Sequence, residues 1–317
     1  MLAKVRRTIR ARRLLFGGER VLVACSGGPD SMALLDVLAR LAPELSLELG
    51  VASVDHGLRP EAAEEVALVR EEAERRGLRF HALKVEVAGE ASLQAAARAA
   101  RYEALLALAR AERYDRVAVG HHLDDQAETV LQRLLRGTGL FGLAGIAPLR
   151  DDGVIRPLIE VGRDEIEAHL ARTGQRFVRD PSNEDARHTR VRLRKAVLPV
   201  LEAEDPRIRA HLAALADEAR ALRAYLEAEL ALRVPKGRAI PREVVEACPT
   251  PLRAELLARW MHDELGIALG REHREEALVV VERGGAQRLP GGFTFTREGE
   301  LLRLERSTGR GRSDPEG

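Results

Sequence analysis

The sequence predicts an α/β fold: a doubly wound parallel sheet, followed by a helical linker and a smaller α+β C-terminal domain. Three observations carry this. Short β-branched apolar runs alternate with amphipathic stretches through the first half of the chain. Those runs stop at Gly, His or Asp, and such alternation builds a parallel sheet with helices on both faces. Beyond about residue 235 the alternation gives way to short apolar runs joined by glycines.

The strands are expected at VLVAC (21–25), LGVASVD (49–55), FHALKV (80–85) and RVAVGH (116–121). Between them SMALLDVLARL, PEAAEEVALVREEAERRG and LQAAARAARYEALLALARAER carry apolar residues at i, i+3 and i+4, and Gly77 reads as a C-cap. A glycine-rich stretch, RGTGLFGLAGIAP (136–148), interrupts this rhythm, with Gly137 placed to cap the helix before it. DDG (151–153) reads as a turn, DEIEAHLARTG (164–174) as a helix and RDPSNEDARHT (179–189) as a polar loop. Helical spacing resumes from 190 to 233, and EALVVVERGGAQRLPGGFTFTREGELLRLERS reads as short strands joined by Gly turns. The boundary falls near 205: residues 1–205 form the first domain and 206–317 the linker and C-terminal domain. The tail GRGRSDPEG is too polar to order itself.

Composition narrows the functional classes. Of 317 residues 45% are hydrophobic and 32% charged, the balance of a soluble globular protein, and no apolar run reaches membrane-spanning length. MLAKVRRTIRARRLLF is basic but has no apolar leader segment, so the cytoplasm is the expected compartment. Cys25 and Cys248 stand alone, which argues against a disulfide framework, a zinc knuckle or a cysteine-held cluster. The net charge of +1 hides two local excesses. Residues 1–18 hold six bases and no acid, and Arg187, Arg190, Arg192, Arg194 and Lys195 fall close together. Each is either a phosphate-binding face or ordinary solvated surface.

The most informative stretch is VLVACSGGPDS (21–31), where a strand meets a helix through a glycine turn. A helix N-terminus presents unpaired N–H groups and partial positive charge. Gly27 and Gly28 let the backbone approach an anion closely, and Ser26 and Ser31 add hydroxyls. The motif lacks the GK[ST] of a Walker A loop and is not GxGxxG. The plainer alternative is a turn with a Ser or Asp N-cap.

SGGPDS resembles the SGGxDS loop of the PP-loop ATP pyrophosphatases. That resemblance implies ATP as substrate, with Ser26, Gly27, Gly28, Pro29, Asp30 and Ser31 at its phosphates. A magnesium ion (Mg2+) on Asp30 would relieve the repulsion between carboxylate and phosphate. Further motifs follow in order: VDHGLRPEAAEE (54–65), SLQAAARAARYEAL (92–105), GHHLDDQAETVLQRLLRGTGLFGLAGI (120–146), RPL (156–158) and DPSNEDARHTRVRLRKAVLP (180–199). Together they resemble the tRNA(Ile)-lysidine synthases over residues 21–199, and LPGG (289–292) continues the likeness more weakly.

The resemblance implies ligation of L-lysine to C2 of the wobble cytidine of a CAU-anticodon tRNA(Ile), by way of an adenylated cytidine, with AMP and pyrophosphate released. It implies that Arg101 contacts the ATP and that Asp125 and Glu128 recognise lysine; Asp55, His56 and His121, at the ends of expected strands, are expected to border the ATP as well. Asp30, Arg101, Asp125 and Glu128 are the expected catalytic set, and Asp124 joins Asp30 as an expected metal ligand. Free lysine has a pKa of about 10.4, so a site that strips the amine of its proton is required. Asp125 and Glu128 also fit a capping box opening a helix, and that reading stands beside the functional one. The chain departs from the family at Val191, where many members carry Asn after the arginine matched by Arg190.

With ten aromatic residues and only four lysines, RNA contact falls to arginines, chiefly the 187–195 cluster. The alternatives are a PP-loop tRNA thiolase, for which neither cysteine is well placed, and a non-catalytic RNA- or nucleotide-binding protein. A homodimer is left open, and no membrane partner is expected.

Overall fold

The computed structural model describes residues 1–55, 62–85, 93–178 and 189–307. Contacts divide the chain into two compact units, Met1–Arg220 and Ala221–Gly317.

The first unit is built on five parallel strands: β1 (Arg20–Ala24), β2 (Glu48–Asp55), β3 (Arg79–Lys84), β4 (Arg116–Ala118) and β5 (Val154–Ile155). Their order is β3-β2-β1-β4-β5, so the chain moves one way from β1 to β3 and returns to start again at β4. Right-handed crossovers then place the helices on opposite faces. Alternate residues of β1 show this: Val21 and Val23 join one core with Val51, Ala118 and Ile155, while Leu22 joins another with Ala52, Val117 and Val154. The first face is covered by α1 (Leu2–Ala11), α2 (Pro29–Leu45), α3 (Ala62–Arg75) and, later in the chain, α7 (Arg163–Thr173). The second is covered by α4 (Leu93–Ala111) through Tyr102, Leu105 and Ala109.

A third core lies where α5 (Leu123–Leu135) meets later helices, with Ala127 and Val130 packed on Leu198, Leu212 and Ala216. Between α5 and α7 runs one turn, α6 (Leu140–Leu143), inside the glycine-rich stretch. The helical run after the polar loop consists of α8 (Thr189–Arg192), a π-turn (Leu193–Val197) and α9 (Leu198–Glu204), then α10 (Ile208–Ala231). Pro199 has no N–H, so the regular ladder cannot close across it, and Leu198 donates instead to the Leu193 carbonyl.

The expected strands and helices of the first half are present. β5 has only two residues, too few to show a period. The sequence boundary at 205 lies between α9 and α10, whereas the compact units divide inside α10.

The second unit holds β6 (Ala239–Pro241), α11 (Arg242–Glu246), α12 (Arg253–Leu265), α13 (Arg271–Arg283), β7 (Gly285–Leu289), β8 (Phe293–Glu298) and β9 (Leu301–Arg306). Its sheet is antiparallel in the order β6-β9-β8-β7. Trp260 and Phe295 meet edge to face at its centre, and the indole N–H donates to the Gly237 carbonyl at 2.8 Å. One expectation fails here. EALVVVER is helical, not a strand: Ala277, Val280 and Val281 are buried at helical spacing, so packing overrides the β-preference of a valine run. Among the described residues no helix is long and apolar enough to cross a membrane.

Candidate active site

Open parallel sheets bind ligands beyond the carboxyl ends of their strands, where the strand order reverses. That point lies between β1 and β4, and the turns leaving these two strands carry the SGGPDS and HHLDDQ residues.

The first turn is a pre-shaped loop. Gly27 adopts φ +81°, open to glycine, and its carbonyl accepts from the Val178 N–H at 2.9 Å. Ser31 folds the loop inward: its hydroxyl donates to the Gly28 carbonyl at 2.9 Å and accepts from the Ser26 N–H at 3.1 Å. The Ser31 hydroxyl is thus engaged within the loop, while Ser26 is exposed. Gly28 caps α2 without a side chain and Pro29 follows at its first position, which leaves the helix N-terminus open. Cys25 is buried behind the loop, and burial pushes its thiol up to about 12.

The second turn presses against the first. A Cβ on Gly120 would lie 3.1 Å from the Asp30 carbonyl and 3.2 Å from the Ser31 nitrogen. His122, fully buried, follows and gathers three acids: its Nε2 lies 3.5 Å from Asp30 and 3.6 Å from Asp125, and its Nδ1 3.3 Å from Asp124. Burial opposes the charge on His122, but Asp125 and Asp30 outweigh it and raise its pKa. Burial likewise opposes ionisation of Asp125, yet His122, His121 and Arg190 hold its pKa below the usual carboxylate range. His121 behaves oppositely. Arg98 and Arg156 each reach one of its ring nitrogens at 3.2 Å, and burial with these cations pushes its pKa down to about 3.

The helix begins three residues earlier than the capping-box reading supposed. α5 starts at Leu123, and the side chain that bonds back is Asp125, accepting from the His122 N–H at 3.1 Å. Glu128 does not cap. It is fully buried and held by Arg194, with Nε–Oε1 at 2.6 Å and Nη2–Oε2 at 3.2 Å. Asp124 is also spoken for: the Arg163 N–H donates to Oδ2 at 2.9 Å and Arg209 bonds Oδ1.

A magnesium ion fits Asp30, whose Oδ1 is buried without a hydrogen-bond partner. It fits Asp124 poorly, because both carboxylate oxygens are occupied. Among the described residues no group of three or more His, Cys, Asp or Glu could hold a metal by itself, so phosphate oxygens would have to complete any shell.

The basic cluster does not form one surface. Arg190 bonds the Thr129 hydroxyl at 2.9 Å and Arg194 pairs with Glu128, so both turn inward. Arg192 and Lys195 are exposed. The physical reason is helical spacing: positions 190 and 194 share a side, and 192 does not. Arg101 sits on α4 with its guanidinium 5.6 Å from the centre of the Tyr102 ring, and Asp55 ends β2. His56, Asp180, Ser182, Asn183 and Arg187 lie outside the described residues. Arg98, Arg156, Arg163 and Arg209 also reach the site; Arg98 and Arg156 lie within the SLQAAARAARYEAL and RPL motifs, whereas Arg163 and Arg209 lie in none.

This fold and this loop define a nucleotide-binding domain of the PP-loop class, and the family model for the PP-loop domain matches residues 2–201. The tRNA(Ile)-lysidine synthase of Salinispora arenicola is 39% identical over 319 residues, covering 95% of each chain. That of Novosphingobium aromaticivorans is 44% identical over 192 residues, 57% of this chain and 58% of the relative, so the shared stretch spans less than two thirds of that protein. With its PP-loop domain the chain belongs to the tRNA(Ile)-lysidine synthase family. In fold it also resembles the U34-tRNA thiolase NcsA from Methanococcus maripaludis, with a TM-score of 0.59 at 19% identity over 68% of this chain and 77% of that one.

Proposed function

We propose that the protein ligates L-lysine to C2 of the wobble cytidine in a CAU-anticodon tRNA(Ile), at the expense of ATP. The observation that carries this reading is the meeting of the phosphate loop with the HHLDDQAE turn, which brings Asp30 and Asp125 together at Nε2 of His122.

The loop amides and Ser26 would hold the ATP phosphates, with Arg101 and His121 at their border. Asp30 would hold magnesium, which would offset phosphate charge. The C2 carbonyl oxygen of the cytidine attacks the α-phosphorus and pyrophosphate leaves. The lysine ε-amine then attacks C2 and expels AMP, so that the C2 oxygen departs within AMP and not as oxide.

Asp125 stays ionised in its buried setting and is assigned the lysine ammonium. Glu128 is assigned a second contact, which it makes only by giving up Arg194. Arg192 and Lys195, on the exposed side of their helix, are assigned to RNA phosphates together with Arg187. A thiolase reading finds no support in the cysteines, since burial keeps both thiols protonated.

The test is pyrophosphate release by the full chain, assayed with each amino acid and each tRNA in turn. Release should require both lysine and the CAU-anticodon tRNA(Ile), and Ser26→Ala or Asp30→Ala should abolish it. Release without either partner would overturn the assignment.

A further inference from the structure

Five arginines gather beside the candidate site, and four of them have no carboxylate partner among the described residues. Arg98, Arg101 and Arg110 lie on α4, and Arg150 and Arg156 flank β5. The guanidiniums of Arg98, Arg101 and Arg150 lie 5.3, 5.6 and 5.0 Å from the centre of the Tyr102 ring. Among the described residues only Arg150 of these five has a carboxylate partner, Asp152 at 2.5 Å. Several arginines elsewhere in the same unit are matched, as Arg12 is by Glu160 and Asp217 or Arg76 by Asp36 and Glu72.

Tyr102 is 7% exposed, and its hydroxyl, beside Arg101 and Arg156, has no well-formed hydrogen bond. Burial and the neighbouring arginines hold the pKa values of Arg101 and Arg156 down. Over this cluster opens a pocket of about 530 Å³, lined by Arg98, Tyr102, Leu106, Arg110 and Arg150, with Glu103 its one acid.

We propose that this side of α4, from Arg98 to Arg110, is a docking surface for the phosphodiester backbone of the RNA substrate. Residues 98, 102, 106 and 110 form one i, i+4 stripe. At about 1.5 Å per residue the stripe runs about 18 Å, too far for the phosphates of a single nucleotide but suited to a polyanion. The one aromatic ring is buried under guanidiniums and offers no face for stacking, so the surface reads charge rather than base. Arg98, bonded to His121, would join this track to the reacting nucleotide.

This inference rests on the proposed substrate being RNA. The experiment compares the wild-type chain with Arg110→Glu, Arg110→Gln and Arg150→Glu, measuring the Kd for the CAU-anticodon tRNA(Ile) transcript across a potassium chloride series and, separately, the KM values for ATP and lysine. Each charge reversal should weaken tRNA binding roughly tenfold and lower the slope of log K against log salt by about one, with the ATP and lysine KM values unchanged. Arg110→Gln should lower the slope equally with a smaller loss of affinity. Unchanged tRNA affinity and slope would overturn the surface, as would a rise in the KM for ATP alone, which would give the pocket to a nucleotide. Failure of the proposed reaction would look different: the wild-type chain would bind tRNA with the expected slope yet release no pyrophosphate with lysine.

Discussion

Glu128 and Arg194 show how a buried acid is held by a single cation. A carboxylate with no exposure is tolerated because two N–H groups of one guanidinium answer it. Removing the cation alone leaves a buried charge, so Arg194→Ala should cost about 3–5 kcal/mol in urea unfolding. The double variant Arg194→Met with Glu128→Leu should recover most of that loss while leaving lysine use impaired; recovery of both would show the pair to be purely structural. His121 makes a pH prediction at the same scale. Its pKa falls from 6.5 to about 3 on folding, so between these values the unfolded chain binds more protons and stability rises with pH. His121→Asn should flatten the loss of stability between pH 6.5 and 3, measured as urea midpoints across that range.

At the scale of elements, α2 is tied to its neighbours by a buried acid. Asp36 accepts from Arg40 at 2.7 Å, from Arg76 at 3.0 Å and meets His169 at 2.8 Å, joining α2 to the end of α3 and to α7. Burial alone would raise its pKa, but these three partners bring it below the usual carboxylate range. Asp36→Ala should therefore destabilise by about 3 kcal/mol or more, since three donors lose their acceptor, while the KM for ATP below the melting range stays as in the wild type. A change in that KM would mean the network shapes the phosphate loop as well. The elements themselves were readable because their signals are local. Gly77 and Gly174 stop helices, and the strands of the first half carry β-branched runs. β5 and α13 were not readable: the first is too short to show a period, and the second places its valines on a buried helical side that only tertiary packing reveals.

At the scale of the whole molecule, the same contrast governs the site. SGGPDS and HHLDDQAE could be read because each motif is contiguous and each leaves a strand at the point where the sheet order reverses. The partners that tune them come from far along the chain. Arg194 lies 66 positions from Glu128, Arg163 lies 41 from His122, and Arg209 lies 85 from Asp124. No periodicity links such pairs, so only the folded chain assigns them, and it divides a single basic run into inward-facing and outward-facing halves. Gly120 belongs to this same long-range geometry. A methyl group there would crowd the Asp30 and Ser31 backbone of the facing turn and force the two turns apart. A random mutagenesis screen for inactive but soluble variants should consequently return changes at this position, a residue with no functional group at all, alongside changes at the carboxylates.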